Sequence, residues 1–313
     1  MKLRDSSSDL YVLCSAVSAK TGMPLAHVEK DYWVVELLRS VARPVDGGRV
    51  VFKGGTSLSK AFGLIHRFSE DVDILLVPQK GAGRGKSDGM LKGIAARAGI
   101  DMGLDPILET STKGVKRYIR YEYAAAFTSD NVTQGVKLEM GVRGGPEPAA
   151  PHEIRSYVAE HAIDHGEPDN AYDEFAPVVI DVLDPARTLV EKAALLHDLA
   201  SRWPETAEYI ADKGRHFYDI YCLLGDAGVQ KTLAEADFTS RVAADRLQVS
   251  RAFGLPATER PTEGFAVSPA FDPHHTSGGA FETAYRSALS LVWGERPDHS
   301  DVLRRVAEYS ELL

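Results

Sequence analysis

The segment Asp71-Val-Asp-Ile-Leu-Leu-Val77 constrains this chain more than any other. Its continuous apolar second half reads as a strand covered on both faces. Its opening Asp-x-Asp puts two carboxylates on one face of that strand, about 7 Å apart along the backbone. Two like charges held side by side at the mouth of a buried strand repel each other and resist desolvation. A divalent cation relieves both problems, and hard oxygen donors suit magnesium or manganese. Two such ions about 3.5–4 Å apart are the arrangement that serves in-line phosphoryl displacement.

Upstream, Arg49-Val-Val-Phe-Lys53 reads as a short strand that ends in Gly54-Gly55. Glycine lets backbone approach a phosphate closely, and a helix that starts there points N–H groups at it. Thr56 and Ser57 cap such a helix and add hydroxyl donors, and Lys60, one turn later, is expected to join the nucleotide-binding residues. A turn that holds phosphates and an Asp71–Asp73 pair that holds metal are the parts of nucleotidyl transfer. A third carboxylate is expected on a neighbouring strand. In Val136-Lys-Leu-Glu-Met140, Leu138 and Met140 alternate toward the core, so Lys137 and Glu139 share the other face. Glu139 is expected either to activate the attacking hydroxyl or to complete a metal site.

The rest of the chain sets the frame. Its 313 residues suit two lobes better than one core, and 44% apolar residues exclude wholesale disorder. Cys14 and Cys222 are the only cysteines, which excludes a disulfide scaffold and suits a reducing cytoplasm. The start lacks the apolar core of a signal peptide, and no run approaches a membrane span, so a soluble cytoplasmic protein is expected, without a membrane partner. Helices are expected over 6–19 and 25–41, strands over 49–53, 71–77, 104–109, 115–123 and 132–141, and a helix over 88–98. Glycines and prolines over 144–151 mark the sharpest break. Beyond it a helix over 152–161 and a strand over 177–183 precede mostly helical sequence: 187–200, 205–224, 231–252 and 279–312, with a surface loop over 255–273. The expected fold is α/β: a nucleotidyltransferase-type lobe (1–145) with a mixed sheet, then a mostly helical lobe (146–313).

Phe52-Lys-Gly-Gly-Thr-Ser-Leu-Ser-Lys60 followed by Arg67-Phe-Ser-Glu-Asp-Val-Asp-Ile74 resembles the AbiEii/AbiGii toxin family, a branch of the polymerase-β-like nucleotidyltransferase superfamily. Val28-Glu-Lys-Asp-Tyr-Trp-Val34, Leu189-Val-Glu-Lys-Ala193 and Arg215-His-Phe-Tyr-Asp-Ile-Tyr221 resemble its other motifs. The resemblance implies that Asp71 and Asp73 bind the catalytic magnesium and that Gly54, Gly55, Thr56 and Ser57 hold the triphosphate of an NTP. It implies that Lys192 neutralises phosphate charge and that Asp219 is the downstream acidic residue of the site. Arg215, in the second helical motif, joins the nucleotide-binding set. It further implies a toxin of a toxin–antitoxin system that adds nucleotides to the 3′ end of tRNA or another RNA acceptor. A cognate antitoxin is implied that need not bind it.

The chain carries a net charge of −9, so any contact with RNA must be local. Residues 79–120 hold nine Lys or Arg against four acids, a net of +5, which leaves −14 for the remainder. Tyr118, Tyr121 and Tyr123 are candidates to stack exposed bases beside that patch. Two rival readings compete with this one. Gly81-Ala-Gly-Arg-Gly-Lys-Ser87 suggests a P-loop NTPase, but that loop needs glycine where Lys80 stands. A non-catalytic nucleotide-binding regulator would have no need of both aspartates.

Overall fold

The computed structural model describes residues 1–69, 71–128 and 133–313. Glu70, within the motif quoted above, and Val132, where one expected strand begins, lie outside the described residues.

The chain divides into two compact units. The first comprises 1–62, 69–142 and 149–182; the second comprises 63–68, 143–148 and 183–313. The division departs from a simple cut at residue 145. Residues 149–182 stay with the first unit because they supply two strands of its sheet.

In the first unit, helices α1 (Ser7–Thr21) and α2 (Leu25–Val41) precede strand β1 (Gly48–Lys53), short helix α3 (Gly54–Lys60) and strand β2 (Asp71–Pro78). Helix α4 (Arg84–Met102) starts four residues before its expected position, inside the glycine-rich stretch. Strands β3 (Pro106–Thr112), β4 (Lys116–Tyr121), β5 (Val136–Gly141) and β6 (Ala149–Ile154), helix α5 (Tyr157–Asp164) and strand β7 (Val178–Leu183) follow. Strand β6 corrects the expected helix over 152–161: its first residues extend along the sheet edge, and the helix starts only after Ser156, whose hydroxyl caps Ala159 N. Among the described residues the sheet has seven strands in the order β3-β4-β5-β2-β1-β7-β6. The β1/β2, β3/β4 and β4/β5 pairs are antiparallel, whereas β2/β5 and β1/β7 are parallel. It is the mixed sheet expected of an α/β fold.

The first core lies on one side of this sheet. Val72, Ile74 and Leu76 of β2, Phe52 of β1, Leu138 and Met140 of β5 and Ile119 of β4 meet Tyr32, Val35 and Leu38 of α2 and Leu91 and Ile94 of α4. Period-two alternation makes this possible: each strand spends every second residue on the core and leaves the others to the opposite face. Helix α2 is buried on nearly all sides, charges included, because each charge finds a partner. Glu29 accepts from Ala126 N and Phe127 N at 2.9 and 3.0 Å, and Asp31 accepts from Tyr157 N at 2.7 Å.

The second unit is built from helices α6 (Pro185–Ser201), α7 (Ala207–Ile210), α8 (Arg215–Leu224), α9 (Ala227–Leu233), α10 (Phe238–Ala252), α11 (Gly278–Ala288) and α12 (His299–Glu308). Asp184 caps α6 through Ala186 N. Phe217 of α8 sits among Phe271, Phe281, Tyr285 and His299. The helix expected over 205–224 is broken ahead of Gly214. A Cβ on Gly214 would lie 2.1 Å from the Ala284 carbonyl oxygen, so only glycine admits α11 so close. Among the described residues no helix is long and apolar enough to cross a membrane.

Candidate functional site

Gly54 turns β1 into α3 with φ +79°, a conformation that glycine adopts without penalty. A Cβ there would stand 2.0 Å from Oδ2 of Asp73. The glycine turn and the Asp73 carboxylate are therefore in direct contact, and no other residue type fits between them. Thr56 and Ser57 are buried. Thr56 Oγ1 donates to the Asp71 carbonyl at 2.5 Å and lies 2.9 Å from Ser69 Oγ, while Ser57 Oγ donates to the Gly54 carbonyl at 2.9 Å. The Thr56 hydroxyl fastens α3 to the first residue of β2, and the Ser57 hydroxyl ties back to the glycine turn.

Asp71 and Asp73 occupy alternate, half-buried positions on β2. In the parallel register with β5, Asp71 stands beside Lys137 and Asp73 beside Glu139. Register partners share a face, so Asp71, Asp73 and Glu139 line the face opposite the apolar core residues Val72, Ile74, Leu138 and Met140. Lys53 ends β1 as the register partner of Asp73. Lys137 Nζ is 3.3 Å from Glu109 Oε2. Partial burial opposes its charge, yet Asp71, Glu109 and Glu139 hold its ammonium above the ordinary lysine range. Two strand carboxylates with backbone packed against one of them match the hard-oxygen chemistry of magnesium, which is commonly held by one or two carboxylates plus substrate phosphates. Among the described residues no three His, Cys, Asp or Glu side chains form a ready-made metal cage.

Lys60 is placed differently from its expected role. Its ammonium is 2.8 Å from Asp31 Oδ1 and 3.6 Å from the centre of the Tyr157 ring, with the side chain 4% exposed. Asp31 offsets the burial penalty and raises the Lys60 pKa above its usual range. The residue locks α3 to α2 and α5.

The second unit carries its own charged cluster. Asp219 of α8 is wholly buried. Arg67 clasps it through Nε and Nη2 at 2.6 and 2.8 Å, and Lys192 Nζ of α6 lies 2.7 Å away. Burial disfavours the Asp219 charge, but Arg67 and Lys192 outweigh it and hold the carboxyl well below the usual range. Burial, aided by Arg67, pushes Lys192 below its ordinary value although Asp219 favours its charge. Lys192 Nζ is also 3.2 Å from His216 Nδ1. Burial first and Lys192 second push His216 well below its usual value, so it is neutral at pH 7. Arg215 begins α8, half-buried beside these groups. Arg67 was not singled out by sequence, although it opens the motif that ends in Asp71 and Asp73. Its signal was its place there, an arginine among Ile65, His66 and Phe68.

No curated protein sequence matches this chain. A solved structure, the nucleotidyltransferase toxin MenT4 from Mycobacterium tuberculosis, is similar over 96% of this chain and 98% of that one, with a TM-score of 0.49 and 16% identity. Residues 36–301 match the family described as "Nucleotidyl transferase AbiEii toxin, Type IV TA system". With most of its length inside that match, the chain belongs to the AbiEii nucleotidyltransferase toxin family of type IV toxin–antitoxin systems.

Proposed function

We propose that this protein transfers a nucleoside monophosphate from an NTP to a hydroxyl at the 3′ end of tRNA, and that this modification arrests growth. The observation that carries the reading is the common face of Asp71, Asp73 and Glu139, with the Gly54 turn packed against Asp73. In this reading Asp71 and Asp73 hold magnesium or manganese, which would supply charge neutralisation at the triphosphate. The Gly54–Ser57 turn binds phosphate oxygens through backbone N–H groups. Glu139 takes the proton of the acceptor hydroxyl. The hydroxyl oxygen bonds to the α-phosphorus, the bond from that phosphorus to the bridging oxygen breaks, and pyrophosphate leaves. Lys192, Asp219 and Arg215 enter this reading on the family resemblance. The family implies a cognate antitoxin.

The test is incubation of the protein with total RNA, magnesium and each labelled NTP in turn. Label incorporated into tRNA by the wild type, and absent with Asp71→Asn, supports the proposal. Label that persists in Asp71→Asn and Asp73→Asn, or none from the wild type with any NTP, overturns it.

A further inference from the structure

The three tyrosines of the basic segment separate in the structure. Tyr121 is fully buried and donates to the Ala95 carbonyl at 2.8 Å. Tyr123 is buried with its ring stacked on Trp33 at 4.8 Å. Tyr118 alone of the three is a register partner of Glu139, on the carboxylate face of the sheet. Asp73, Glu139 and Tyr118 thus form one row across β2, β5 and β4. Two strand spacings put Tyr118 about 10 Å from Asp73 at the backbone.

The charges around this row differ in availability. Arg120 is bound to Glu109 and Glu122, and Lys137 to Glu109. Lys116, two residues before Tyr118 on the same face, carries its ammonium 5.0 Å from the centre of the Tyr118 ring. The turn before it is drawn toward the start of α4. A Cβ on Gly114 would meet the Arg84 carbonyl oxygen at 2.2 Å, and Asp88 accepts from Gly114 N at 3.1 Å. Exposed Lys113 and Arg84 therefore lie close to Lys116, at the end of the strand that carries Tyr118. An aromatic ring beside a metal-binding face, with cations leading away from it, matches a single strand whose last base stacks and whose phosphates follow the cations.

We infer that the Tyr118 ring, flanked by Lys116, is the stacking platform for the unpaired terminal base of the RNA acceptor. The inference rests on the proposed transfer to RNA and adds where the acceptor is gripped and by what. Duplex ends that cannot splay a base are disfavoured as acceptors, because a paired base offers no free face to the ring.

The test reads RNA binding without NTP, by fluorescence anisotropy with a labelled single-stranded oligoribonucleotide. A second oligonucleotide is identical except for an abasic 3′-terminal nucleotide. With wild-type protein the abasic RNA should bind about tenfold more weakly or worse, the loss of one base–aromatic stack. Tyr118→Ala should weaken the intact RNA by a similar factor and lose the distinction between the two RNAs, whereas Tyr118→Phe should keep it. Lys116→Ala should weaken both RNAs equally and lower the slope of log affinity against log salt by about one. Equal affinity of the wild type for intact and abasic RNA overturns the inference without recourse to a variant. So does an unchanged distinction in Tyr118→Ala, or a loss of NTP affinity in that variant with RNA binding intact, which would give the ring to the NTP base instead. Binding and nucleotide incorporation are separate measurements, so failure of this platform leaves the proposed transfer standing.

Discussion

Arg67 and Asp219, 152 residues apart in sequence, form a two-point ion pair with almost no solvent access: the arginine is 1% exposed and the aspartate 0%. Lys192 shares the same carboxylate, so the cluster has two cations on one anion. Removal of Arg67 takes away the partner that meets both carboxylate oxygens. Breaking a buried pair from one side costs about 3–5 kcal/mol, so Arg67→Met should lose stability on that scale in urea denaturation. A change below about 1 kcal/mol would mean the pair is dispensable to the fold.

Asp71→Asn and Asp73→Asn test the carboxylate face. Both side chains are only half-buried and lie off the apolar core. Each variant should keep a melting temperature within a few degrees of wild type while transfer falls by at least about a hundredfold, the scale of losing one electrostatic contact to a transition state. Steady-state incorporation of labelled nucleotide alongside a thermal melt separates the two effects.

Gly54→Ala is a test of the turn rather than of charge. Its Cβ would need the space of Asp73 Oδ2, at a φ of +79° that alanine resists. We expect a stability loss of about 1–3 kcal/mol together with an activity loss close to that of Asp73→Asn, because the carboxylate must move. Wild-type transfer by Gly54→Ala would show that the Asp73 position does not matter to it.

Lys60→Met distinguishes two roles for one lysine. If its ammonium serves Asp31, the variant strands a buried carboxylate and stability falls by about 3–5 kcal/mol. The KM for NTP should then stay within about twofold of wild type, since uniform binding is untouched. A several-fold rise in KM with stability preserved would return Lys60 to the phosphate site.

Stability should fall with acid in two stages. His216 has its folded pKa depressed below the ordinary 6.5. The unfolded chain therefore takes up a proton first, and stability declines as pH drops below about 6.5. Asp219 has its folded pKa depressed as well. Its contribution is complete above the unfolded value of about 3.9 and is lost as pH falls below it. Urea midpoints measured from pH 8 to pH 3 should show both declines, and His216→Phe should flatten the first. A first stage unaltered in His216→Phe would assign it to another group.

Much of the site face was legible because strand alternation is local. The period of two puts Asp71 with Asp73 and sets Glu139 apart from Leu138 and Met140 without any knowledge of neighbours. Strand β6 was missed for a different reason. Its sequence, Ala-Ala-Pro-His-Glu-Ile, has no alternation of its own and is a strand only because a sheet edge receives it.

The sequence by itself determined the glycine turn, the acidic start of β2, the family to which the chain belongs and the helical character of its second half. These follow from residue spacing and from backbone preferences that act over a few residues. Only the tertiary structure decided where the buried charges go. It gave Lys60 to Asp31, bound Arg67 to Asp219 and left Tyr118, but not Tyr121 or Tyr123, on the carboxylate face. The reason is physical: a buried ion must find its counter-ion wherever the fold brings one within about 4 Å. Nothing in the local sequence names a partner that lies 152 residues away.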